Sequence, residues 1–74
     1  MITAHGRGVI AGAEEARTHA ERVSNVTTRD IRAVAYLTYK RMQEAGYAHI
    51  TPEDEFVAGF LVGFRNWDSA YILS

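Results

Sequence analysis

Residues 56–64, Phe56-Val57-Ala58-Gly59-Phe60-Leu61-Val62-Gly63-Phe64, are apolar throughout and follow directly on Thr51-Pro52-Glu53-Asp54-Glu55. That preamble starts a helix. Proline suits a first helical turn, and carboxylates are favoured where the backbone amides leave partial positive charge. The boundary is expected with Thr51 as the cap and Pro52 at the first helical position. Phe56, Phe60, Phe64 and Trp67 recur at spacings of four and three, with Val57 and Leu61 beside them, so a broad face must be covered. Gly59 and Gly63 each cost about 1 kcal/mol against alanine in a helix interior, a cost explained by close approach of another helix or of a partner. Beyond them, Asp68-Ser69-Ala70 either continue or turn the helix, and the apolar tail Tyr71-Ile72-Leu73 is expected to dock.

A second start signal lies upstream in Thr27-Thr28-Arg29-Asp30. Thr27 can cap, Asp30 at the third helical position can reach back, and Val26 can staple against Ile31. Ile31, Val34, Ala35, Thr38, Met42 and Ala45 then share one face, and Gly46 ends the helix in a left-handed cap with Tyr47 folding back toward Met42. Arg29, Arg32, Tyr36, Lys40 and Gln43 make the opposite face. Ala33 and Leu37 lie off both stripes, which suggests that this central helix touches more than one neighbour.

The N-terminal part is weaker. Gly6, Gly8 and Gly12 surround Arg7 and the pair Val9-Ile10, a mixture too rich in glycine to nucleate a helix, so residues 1–12 are expected to form a mobile arm. Residues 13–23 place Ala13, Ala16, Ala20 and Val23 on one side and suit a helix that buries little area. The expected fold is all-α: a small three-helix domain over residues 13–74 with a flexible N-terminal arm over residues 1–12.

Size and composition bound the function. A chain of 74 residues buries only about 60% of the surface its unfolded form exposes, and with no cysteine its core must come from packing of the 47% hydrophobic residues. The formal net charge of −1 gives no bulk attraction to nucleic acid or anionic membrane. The N-terminus lacks the apolar centre of a signal peptide, and residues 56–64 fall far short of the ~20 that span a bilayer, so a cytoplasmic protein is expected. His5, His19 and His49 are scattered, without metal-ligand spacing, and Ser24, Ser69 and Ser74 sit in no nucleophile elbow. No metal, no cofactor and no enzymatic activity are expected.

Two charged groups are candidate contacts. Glu53, Asp54 and Glu55 stabilise a helix N-terminus and can also meet a basic segment of a protein partner. Arg29, Arg32, Tyr36 and Lys40, with Arg41 at the edge, form a candidate nucleic-acid contact: the cations would meet phosphates while the ring stacks. A solvated helix face explains the same stripe. In the arm, His5, Arg7, Val9 and Ile10 could fold onto a protein partner. A DNA-binding helix-turn-helix is disfavoured, because its second helix would enter the major groove led by three carboxylates.

The short cysteine-free chain, the glycine-rich Arg7-Gly8-Val9-Ile10 segment and the compact unit over residues 27–67 together resemble the small phage-encoded transcription regulators of the Xanthomonas phage type, which bind bacterial RNA polymerase. The resemblance is one of size and texture. It implies a non-enzymatic host-takeover protein, acting in the host cytoplasm as a monomer. Binding to the N-terminal segment of the polymerase β′ subunit would inhibit host transcription initiation through loss of σ contacts and give antitermination on phage units. Nucleic acid would be met only within that complex. The alternative is a small nucleic-acid-binding repressor using the central basic helix. A third class is a homo-oligomer closed through the Gly59 and Gly63 face.

Overall fold

A computed structural model of the chain describes residues 3–18 and 27–73, the last seven of these by their backbone alone. Three helices, α1 (Ala4–Thr18), α2 (Thr28–Glu44) and α3 (Glu53–Leu73), account for the fold, with no strand among the described residues. The all-α, three-helix class is as expected. The first boundary is not.

Residues 4–12, expected as arm, are helical, and α1 begins nine residues before the Ala13 start that composition favoured. Thr3 caps it: its side-chain oxygen accepts from the Gly6 amide at 3.0 Å and its carbonyl from the Arg7 amide at 2.9 Å. Met1 and Ile2 lie outside the described residues, as do Ala20, Val23 and the proposed Val26 staple.

What overrides the weak propensity of this segment is α3. Ala4, Gly8, Gly12 and Ala16 recur every fourth residue and all are buried. A Cβ at Gly8 would fall on the Phe56 carbonyl oxygen, and one at Gly12 on that of Phe60. The reverse holds from α3, where a Cβ at Gly59 would meet the His5 carbonyl and one at Gly63 that of Val9. Each helix therefore presses its backbone into the gap left by the other's glycines, the geometry in which Cα–H groups contact carbonyl oxygens. The pairs advance together, residue 8 with 56 and 12 with 60, so α1 and α3 run parallel. Of the explanations open for Gly59 and Gly63, close approach of another helix holds; closure of a homo-oligomer through that face does not, because α1 occupies it.

Helix α2 lies antiparallel to α3. At one end the Arg65 guanidinium donates to the Thr28 hydroxyl; at the other Tyr39 meets Phe56 edge-on, ring centroids 5.5 Å apart. Its start follows the expected capping box, with the Asp30 amide donating to Thr27 Oγ1 at 3.2 Å and the Asp30 carboxylate accepting from the Thr27 amide and hydroxyl. Its end is the expected left-handed turn: Gly46 has φ 84°, its amide donates to the Gln43 carbonyl, and the Tyr47 amide donates back to the Met42 carbonyl. Ile31, Ala35 and Tyr39 are buried, Val34, Thr38 and Met42 half-buried, and Ala45 exposed. Tyr39 was not expected in this face. Ala33 and Leu37 do not reach a second neighbour; both are exposed, because α1 packs along α3 and barely touches α2.

The start of α3 is displaced by one residue from expectation. Pro52 itself occupies the cap, its carbonyl accepting from the amides of Glu55 and Phe56 at 3.2 Å, and Glu53 takes the first helical position. The Thr51-Pro52 peptide is cis. Phe56, Phe60 and Phe64 then form a buried ladder at successive centroid distances of 6.4 Å, closed by Val57 and Ile50. The helix continues through Asp68-Ser69-Ala70 to Leu73; the Trp67 side chain and the docking expected of residues 71–73 lie outside what is described. Among the described residues no helix is long and apolar enough to cross a membrane.

Candidate protein-binding surface

The parallel register of α1 and α3 decides which charged groups share a surface. Because Gly8 seats on Phe56 and His5 lies against Gly59, the first turn of α1 lies within about one helical turn of the start of α3. His5 and Arg7 therefore stand at the same end of the bundle as Glu53, Asp54 and Glu55, together with the turn that carries Tyr47 and His49. All three carboxylate residues are exposed, as are His5 and His49. Asp54 also accepts from the Glu55 amide at 3.0 Å, so one carboxylate is tied to its own helix terminus.

Arg7 is held more firmly than an arm residue would be. Its guanidinium carbon sits 5.8 Å from the centre of the Tyr47 ring, within the range of a cation–π contact. Its Nε is buried without a hydrogen-bond partner. Val9 is half-buried, with its carbonyl against Gly63, and contributes to the helix seam more than to any surface. Ile10 points outward, 50% exposed. The expected quartet of His5, Arg7, Val9 and Ile10 is thus split: two residues at the acidic end, one in the seam, one on the flank of α1.

That flank borders a groove of about 480 Å³ between α1 and α2, lined by Arg7, Ile10, Ala11, Glu14, Glu15 and Thr18 on one side and Thr38, Met42 and Tyr47 on the other. It exists because both helices lean on α3 without closing on each other. Sequence reasoning had no means of placing it, since the α1 boundary was lost.

The basic stripe is exposed as expected: Arg29, Arg32, Tyr36, Lys40 and Arg41 all face solvent. Arg41 turns away from the others, about 100° round the helix from Lys40. Arg32 and Tyr36 share a shallow groove of about 220 Å³ with Asp54, Val57, Ala58 and Leu61. A carboxylate beside the stripe weakens its attraction for phosphate. Among the described residues, no three His, Asp or Glu side chains are grouped to hold a metal ion.

Compared with known protein families, curated proteins and solved structures, the chain matches none.

Proposed function

We propose that this chain is a non-enzymatic, phage-type host-takeover protein that binds bacterial RNA polymerase through the β′ subunit, inhibiting host initiation and favouring antitermination. The observation that supports this reading is the placement of Glu53, Asp54 and Glu55 on one end of a helical bundle, at the same end as exposed His5 and Arg7 backed by Tyr47. Mixed charge on a fixed frame suits a protein surface of complementary charge better than a uniform phosphate field. The contact would be made by a preformed helical end, without ordering of an arm, so little conformational entropy is lost on binding.

Replacing the three carboxylates together, Glu53→Gln, Asp54→Asn and Glu55→Gln, removes the charge while leaving the helix start largely intact. Titration against purified polymerase should show affinity weakened at least about tenfold, since several interfacial charges are lost at once. Helical circular dichroism should be unchanged. Equal affinity for wild type and variant removes this end from the interface, and absence of any binding by the wild type removes polymerase as the partner. Tight binding of free DNA or RNA, falling steeply with salt, would move the function to Arg29, Arg32, Lys40 and Arg41 on α2.

A further inference from the structure

We propose that the groove between α1 and α2 is closed by a second copy of this chain, whose α1 lies antiparallel to the first across a two-fold axis passing between Ile10 and Ala11. The groove-bordering strip of α1 carries half-buried Arg7 at one end, exposed Ile10 and half-buried Ala11 between, and the carboxylates of Glu14 and Glu15 at the other. A two-fold axis at its middle sets Arg7 of each copy opposite Glu14 of the other, twice per dimer, and Ile10 against Ala11. Self-complementarity of this kind is what an isologous interface requires. A partner surface of one sign would leave either Arg7 or Glu14 facing like charge.

The other observations fall on the same strip. Arg7 and Glu14 lie two turns, about 10 Å, apart along their own helix. Among the described residues neither forms an ion pair; the Arg7 Nε is covered by its own chain, and the guanidinium carbon stands 5.8 Å from the Tyr47 ring centre, which orients the group. Ile10 and Tyr47, 50% and 51% exposed, supply the apolar surface flanking that pair. The dimer uses Arg7, which also borders the acidic end, but its test needs no other protein and so fails or holds separately from the polymerase reading.

Sedimentation velocity of the full chain, from about 10 µM to about 500 µM, tests it. Wild type should associate to a dimer as concentration rises. Arg7→Glu or Glu14→Arg alone should shift the association about tenfold to higher concentration, since each change breaks both symmetric pairs. The double variant Arg7→Glu/Glu14→Arg should restore it, because the charges are exchanged across the axis. A monomer throughout the range, or a double variant no better than the singles, overturns the proposal. Arg7 packs on Tyr47, so circular dichroism accompanies its variants. If Arg7→Glu loses helicity, Ile10→Asp decides, because it places a carboxylate beside the axis from each copy: dimerisation unaffected by it also overturns the proposal.

Discussion

Replacing Gly12 by alanine should destabilise the protein by about 3 kcal/mol, the upper end of what overpacking costs, although the same change in a free helix would stabilise it by about 1 kcal/mol. The added Cβ falls on the carbonyl oxygen of Phe60, with the Phe60 carbonyl carbon 2.9 Å away. Backbone cannot rotate aside as a side chain can, so α1 must lift from α3 along its length, and the burial of Ala4 and Ala16 is lost with it. A domain of this length has a total stability of roughly 4–11 kcal/mol, so the change consumes a large part of it. Valine at the same position should leave no folded population in which α1 is docked. The midpoint of urea unfolding reports the effect, and Gly63→Ala, whose Cβ meets the Val9 carbonyl, should behave alike. A neutral or stabilising Gly12→Ala would mean that the helices are not in backbone contact.

Phe60→Ala should cost about 3–5 kcal/mol, the usual range for emptying a buried aromatic site. Phe60 is fully buried at the centre of the ladder, its ring 6.4 Å from those of Phe56 and Phe64, and its backbone lies under both Gly8 and Gly12. The cavity would lie where all the packing converges, and a seam held by backbone contact has little freedom to collapse into it. Phe60→Leu should cost about 1–2 kcal/mol, because much of the volume is kept. Equal midpoints for Phe60→Ala and for truncation of half-exposed Val62 would contradict the core assignment.

Local signals carried most of α2 and α3. Thr27 with Asp30, Gly46 with Tyr47, and the phenylalanine spacing each rest on interactions within a few residues, so they are visible in sequence. The N-terminal segment failed for the opposite reason. Gly8 and Gly12 are poor helix formers in isolation, and only contact with Phe56 and Phe60, 48 residues away in the chain, turns their missing side chains into clearance. The shared spacing of four in Ala4, Gly8, Gly12, Ala16 and in Gly59, Gly63 was present, and Thr3 was there as a cap; together they mark two helices that fit each other. Exposure of the charged candidates followed from their helix faces. Their grouping did not, because the parallel register that brings His5 and Arg7 to the same end as Glu53 is a property of the tertiary seam. Leu37 shows the same limit: an apolar residue between two stripes suggested a neighbour, and the leaning of α1 on α3 leaves it 58% exposed.

The central claim is that α1 is part of the core, seated on α3, and so presents His5 and Arg7 on a rigid frame beside the acidic end. Native-state hydrogen exchange resolved by residue tests this most directly. Amides of residues 8–16 should be protected by at least about a thousandfold, together with those of residues 56–64, and should open with them as one unit. Exchange of residues 8–16 at free-peptide rates, with α2 and α3 still protected, would restore the N-terminal segment to a mobile arm and contradict both the glycine seam and the surface built upon it.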